Sequence, residues 1–164
     1  MNSNILKLRE LREIDKRILK NLIEDSRQPH SRIAENIGTS RQNISQRIKK
    51  LQERNLIKSY TINLNNRLFE EIGVKAYILF REDPNVRVRK EHDKKIVNIP
   101  QITDFSRLFG IYDGVIEILV QNNREVTNII NTLHQLKGIK ETETFIVHDI
   151  IKEEKYAPII DLLT

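Results

Sequence analysis

The chain has no cysteine among its 164 residues, which excludes disulfides and thiolate chemistry and fits a cytoplasmic protein. It has no apolar run near the roughly 18–20 residues that a membrane span requires. The opening stretch MNSNILKLRE is without the apolar core of a signal peptide, so a cytoplasmic, non-membrane protein is expected. Aromatics make up only 5% of residues. No P-loop and no GxGxxG occurs, and the four histidines, at 30, 92, 134 and 148, fall in unrelated segments without ligand spacing. Catalytic constellations are poor, and the expectation is no enzyme, no cofactor and no metal.

What is present is charge, unevenly placed. Residues 1–63 hold 14 Lys/Arg against 7 Asp/Glu, a net of +7, whereas residues 64–164 hold 14 against 16, a net of −2. The two sums return the chain's +5. A basic excess confined to the N-terminal part is expected where that part meets a polyanion.

Periodicity divides the chain the same way. Leu11, Ile14, Ile18, Leu19, Leu22 and Ile23 recur at helical spacing over Leu11 to Asp25. The polar break SRQPHS follows, in which Pro29 cannot continue a helix and Ser31 can cap the next one. A short helix from Arg32 turns Ile33, Ala34 and Ile37 inward, and Gly38 stops it. Ser40 then caps a third helix to about Arg54, with Ile44, Ile48 and Leu51 as its only apolar stripe and Asn55 as a left-handed terminator. LIKSYTINLN reads as extended. Three short helices with a glycine turn between the second and third predict a helix-turn-helix, winged by the strand that trails it.

From Val74 the period changes. VKAYILFRE reads as a strand, and a polar helix runs from about Asn85 to Val97. ITDFSRLF and GVIEILVQ read as strands joined through Gly110-Ile111-Tyr112-Asp113. A helix follows from about Arg124 to Leu136, and IKETETFIVHDIIK reads as a long last strand. The order βαββαβ predicts an α+β, ferredoxin-like second domain. Ile146 and Ile150 lie on one face of the last strand, and Phe145, Val147 and Ile151 on the other. Two helices cover one face of such a sheet, so the other face calls for a second copy of the chain, a homodimer.

The third helix carries the sharpest signal. Between Thr39 and Tyr60 there are six Lys/Arg against the single acid Glu53. Arg pairs with guanine, and Asn or Gln with adenine, across the major groove of double-stranded DNA; Lys and Ser suit phosphate. The expected DNA-binding residues are Ser40, Arg41, Gln42, Asn43, Ser45, Gln46, Arg47, Lys49 and Lys50, with Arg41, Gln42, Asn43 and Gln46 reading bases. Arg27, Arg32, Lys58 and Tyr60 are further candidates for phosphate.

These segments, in this order, resemble the Lrp/AsnC (feast/famine) transcription regulators. IDKRILKNLIEDSR is similar to the family's first helix, and IAENIGTSRQNISQRIKKLQERNLIKSYTINLN to its helix-turn-helix and exit strand. FGIYDGVIEILV is similar to the Gly-x-x-Asp hairpin of its ligand-binding (RAM) domain, and KETETFIVHDIIK to its last strand. The resemblance implies a winged helix-turn-helix at 1–57, a linker strand and hinge at 58–73, and an effector-binding and oligomerisation domain at 74–164. It implies a sequence-specific regulator that forms dimers and, in many members, octamers. An amino acid or other small effector would lie near Gly110, Ile111, Tyr112, Asp113, Thr142 and Thr144, with Asp113 facing an ammonium. Two other readings compete. One is an enzyme like the sirohaem decarboxylases, using His148 or Arg107. The other is a nucleoid-type protein that coats DNA.

Overall fold

The computed structural model describes residues 8–164, which divide into two compact units. One comprises the residues up to Asn63 together with Lys152–Thr164, and the other is Leu64–Ile151. The sequence reading placed 152–164 with the second unit.

In the first unit, helices α1 (Glu13–Glu24), α2 (His30–Ile37) and α3 (Arg41–Glu53) enclose Ile18, Leu22, Ile33, Ala34, Ile44, Ile48 and Leu51. The three apolar residues of α3 are all buried, and each is worth roughly 1.5–3 kcal/mol relative to exposure. α2 starts earlier than expected: Pro29 occupies its N-cap position and Ser31 lies inside the helix. Pro is tolerated there because the first helical N–H groups have no acceptor within the helix. Gly38 closes α2 at φ 79°, a left-handed conformation that a Cβ disfavours. Ser40 caps α3, its hydroxyl accepting from the Asn43 N–H at 3.2 Å, and Asn55 follows at φ 56°.

The expected wing is not formed. Among the described residues no strand lies between α3 and Val74. Leu56 and Ile57 instead fold back, their N–H groups donating to the Leu51 carbonyl at 2.9 and 3.3 Å. An extended segment becomes a strand only beside a hydrogen-bonding partner, and this one pairs with no strand among the described residues. The Lys152–Thr164 part of this unit adds a short helix, α6 (Ala157–Leu162), followed by the buried Leu163.

The second unit follows the predicted order: β1 (Val74–Glu82), α4 (Val86–Ile96), β2 (Ile102–Arg107), β3 (Gly114–Val120), α5 (Asn123–His134) and β4 (Ile139–Ile146). The strands form one antiparallel sheet in the order β2-β3-β1-β4. Ala76, Ile78 and Phe80 on β1 and Ile116, Ile118 and Val120 on β3 make a core with Ile96 of α4 and Val126, Ile129 and Leu133 of α5. β4 is shorter than expected. It ends at Ile146, and just beyond it the Val147 N–H donates to the Lys75 carbonyl at 2.8 Å. On the sheet's other face Tyr77, Leu79, Val115 and Leu119 are half-buried and Phe145 is half exposed.

One charge organises the end of this sheet. The Glu82 side chain is fully buried. It accepts from Arg107, pairs with Arg89 Nε at 3.2 Å and meets His92 Nδ1 at 2.8 Å. Arg107 also holds Asp93 and lies over the rings of Phe80 and Phe105, 5.6 and 5.1 Å from their centroids. His92 Nε2 faces the Lys137 carbonyl at 2.9 Å. Both of its neighbours are oxygens, so the ring bridges Glu82 on β1 to the turn before β4.

Asp113 joins the same network. Its Oδ2 accepts from the Glu82 N–H at 2.9 Å and its Oδ1 from Arg89 Nη2 at 2.6 Å. Its own N–H donates to the Phe80 carbonyl, and its carbonyl accepts from the Leu108 N–H. The Glu82 N–H, helped by the Arg89 charge and opposed by partial desolvation, holds the Asp113 carboxyl below the usual aspartate range.

Two outcomes are expected. A Cβ at Gly114 would sit 2.5 Å from the buried Phe80 ring, so Gly114→Ala should cost about 1–3 kcal/mol, measured by thermal or urea unfolding. A carboxyl held low in the fold stabilises at pH above its unfolded value and loses that effect as pH falls through its folded value. Asp113→Asn should therefore cost about 1 kcal/mol near neutral pH, and the difference from the parent protein should close below about pH 4. Urea titrations across pH test this, and a difference independent of pH would contradict it.

Candidate DNA interface and effector turn

The nine expected DNA-binding residues do not form one free surface. Arg41, Gln42, Gln46, Lys49 and Lys50 are exposed along α3, as is the capping Ser40. Lys49 has only a loose, exposed pair with Glu53 at 4.0 Å, which contributes little. The others are engaged within the protein. The Ser45 hydroxyl meets His30 Nδ1 at 2.8 Å, tying α3 to α2. Arg47 Nη1 donates to Asp15 Oδ1 at 2.8 Å, and its Nε to Asn43 Oδ1 at 3.2 Å. Asn43 Nδ2 donates to Thr39 Oγ1 at 2.9 Å. Arg47 thus points inward to α1 rather than outward.

Sequence reasoning missed two cations. A cleft of about 380 Å³ beside α3 is lined by Arg12 and Arg54 together with Gln46 and Lys50. Arg12 precedes α1, 29 residues before the start of α3 at Arg41, so no local pattern places it here; Arg54 was visible as the last residue of the expected helix. The cleft offers positive charge where a phosphate backbone beside a recognition helix would run. Among the further phosphate candidates, Arg27, Arg32 and Lys58 are exposed. Partial burial raises the Tyr60 hydroxyl above its ordinary range.

The expected effector residues gather at one end of the sheet but point in different directions. Phe80 of β1 pairs with Gly114 on one side and Thr142 on the other, so the turn and Thr142 flank the same strand. Gly110 is exposed and Ile111 is 79% exposed. Tyr112 donates from its hydroxyl to Glu143 on β4, and this bond holds its phenol above the usual range. Thr142 Oγ1 meets His134 Nε2 at 2.9 Å, while Thr144, half-buried, pairs with Ile78 in the ladder. Asp113 does not stand open to a ligand: both of its oxygens serve the Glu82 network.

On the sheet's open face a second polar cluster surrounds Glu117. Its carboxylate accepts from Thr103 Oγ1 at 2.6 Å and from the Tyr77 hydroxyl at 3.0 Å, and lies 3.1 Å from Lys75 Nζ. Burial pushes this carboxyl up, and the three neighbours outweigh that and hold it low.

Comparison with known proteins agrees with this geometry. Residues 11–52 match the AsnC-type helix-turn-helix domain, and residues 75–157 the Lrp/AsnC ligand binding domain. The HTH-type transcriptional regulator FL11 of Pyrococcus furiosus is 31% identical over 153 residues, covering 91% of this chain and 97% of the relative. A Neisseria meningitidis transcriptional regulator, solved in complex with L-Met, superposes with a TM-score of 0.84 at 20% identity over 93% of this chain and 99% of that one. AsnC of E. coli superposes at 0.80, with 19% identity, over 88% and 97%. A helix-turn-helix followed by a four-stranded ligand-binding sheet, matched in both halves, places this chain in the Lrp/AsnC family of transcription regulators.

Proposed function

We propose that the protein binds specific DNA sites as a homodimer in the cytoplasm and regulates transcription from them. α3 would enter the major groove, and a small effector held by the second unit would modulate binding. The observation that carries this is the outer side of α3. Arg41, Gln42, Gln46, Lys49 and Lys50 are exposed there, above an apolar stripe just wide enough to hold the helix. Arg41, Gln42 and Gln46 would face bases, and Lys49, Lys50, Arg12 and Arg54 the phosphates. Ser45 and Arg47 serve instead to seat the helix.

Self-association has two supports. The open face of the sheet carries Tyr77, Leu79, Val115, Leu119 and Phe145. The extended stretch after α3 exposes Tyr60, Ile62 and Leu64, one row at strand spacing, with no strand partner among the described residues. An octamer would be a further step built from the same dimers.

The effector reading rests on the family and on the Gly110–Asp113 turn. Because Asp113 is taken by Glu82 and Arg89, an amino acid's ammonium would have to displace Arg89 or find Glu143 or a backbone carbonyl. The enzyme reading gains nothing from its candidates: Arg107 is committed to Glu82 and Asp93, and His148 is exposed beyond β4.

The test is binding to the protein's own upstream DNA against random duplex, across salt concentrations. Affinity should fall steeply with salt. Lys49→Ala should weaken all DNA alike and reduce the salt slope by about one. Arg41→Ala should cost about 1–3 kcal/mol on the preferred site and little on random DNA. Equal affinity for both duplexes would sink the sequence-specific reading, and a continuous footprint would favour the DNA-coating one. Light scattering in dilute solution should give the mass of a dimer; a monomer's mass would remove self-association. Calorimetry with a panel of amino acids decides the effector.

A further inference from the structure

A line of polar contacts along α3 joins a buried acid to the helix surface. Asp15 is buried on α1 and receives Arg47, Arg47 Nε donates to Asn43 Oδ1, and Asn43 Nδ2 donates to Thr39 Oγ1. A guanidinium can only donate, so the atom that Asn43 turns toward Arg47 is its oxygen, and the amide orientation is fixed chemically. Thr39 and Arg47 stand four residues before and four after Asn43. Arg47 thus lies one turn on along the same helix face, and Thr39 lies just before the Ser40 cap, on the N-terminal side. The carboxamide is strung between them along the helix axis, nitrogen toward the N-terminus and oxygen toward the C-terminus.

A carboxamide has two N–H donors and two lone pairs on oxygen. The internal contacts use one of each. One donor and one acceptor remain on adjacent atoms, in a fixed order along the helix, on a side chain that is only half-buried. Among the four bases, the major-groove edge of adenine alone offers an acceptor, N7, beside a donor, N6. Guanine offers two acceptors, thymine an acceptor and a methyl group, and cytosine a donor.

We infer that Asn43 reads one adenine in each half-site, and that Asp15, through Arg47, is a positioning group that holds its carboxamide ready. This rests on the reading that α3 lies in the major groove. It assigns Arg47, whose residue type suggests guanine, to orienting its neighbour instead. The orientation is set before DNA arrives, so the base meets an amide that has little rotamer freedom left to lose.

Site selection from a random duplex library, with the full chain, tests the assignment. The parent protein should select sites with one adenine per half-site that depends on Asn43. Asn43→Ala should lose about tenfold discrimination at that base pair and leave other positions unchanged. Asn43→Asp presents acceptors only and should exchange adenine for cytosine at that same position. Asp15→Asn, nearly isosteric, should relax the same base preference while affinity for random DNA stays as it was; a purely structural role would move both or neither. Circular dichroism establishes that each variant is folded. If sites are selected and no adenine in them responds to Asn43→Asp or Asn43→Ala, the inference is overturned and the regulator reading stands. If no sequence is selected at all, both fall.

Discussion

A carboxylate with no exposure to water cannot be left without partners, and Glu82 at the end of β1 is such a group. Its requirement sets much of what surrounds it. Arg107 must come from the end of β2, and Arg89 and His92 from α4, to answer a single buried charge. Two arginines brought to one acid need further anions, and Asp93 and Asp113 supply them. Arg107, Arg89 and His92 thus gather around the three acids Glu82, Asp93 and Asp113. By this route the Gly110–Asp113 turn, the first turns of α4 and the Lys137 carbonyl before β4 are held to one another around a point in the core.

The first unit repeats the same logic on a smaller scale. Asp15 is buried on α1, and its partner is Arg47 of α3. In both units the buried acid takes away a residue whose type suggests an external partner. Asp113 has the chemistry of a carboxylate for a ligand's ammonium, and its oxygens lie on the Glu82 N–H and Arg89. Arg47 has the residue type of a guanine reader, and its guanidinium lies on Asp15. Breaking either arrangement would leave a buried or half-buried charge uncompensated, which costs more than the pair contributes when intact.

Much of the fold was legible because it rests on local rules. The apolar spacing of Ile44, Ile48 and Leu51, the cap at Ser40 and the left-handed Gly38 and Asn55 fix α3 and its neighbours from short-range chemistry. The alternation over Val74–Glu82 and Gly114–Val120 likewise shows the two central strands. Legibility failed where a partner decides. LIKSYTINLN has the composition of a strand but no strand to pair with among the described residues. The stretch after Ile146 has alternating apolar residues, yet Ile146 pairs with Ala76 and β1 begins at Val74, so only two residues of that edge remain. Site residues were readable by type and not by allegiance: Asp15 and Arg47 are 32 positions apart, as Glu82 and Asp113 are 31. No periodicity carries that information.

What a protein offers to a partner is what remains after its own groups are satisfied. On α3 that remainder is specific. Arg41, Gln42, Gln46 and Lys50 are exposed, whereas Ser45 and Arg47 are spent on α2 and α1. Asn43 is divided, one donor and one acceptor used inside and one of each left over. A side chain in that state is more informative than a wholly free one, since a free carboxamide could rotate to suit several base edges. The internal contacts thus bear on recognition as well as stability: they narrow the hydrogen-bonding pattern that α3 presents, and an edge with one fixed order of donor and acceptor discriminates among bases in a way that a flexible one does not.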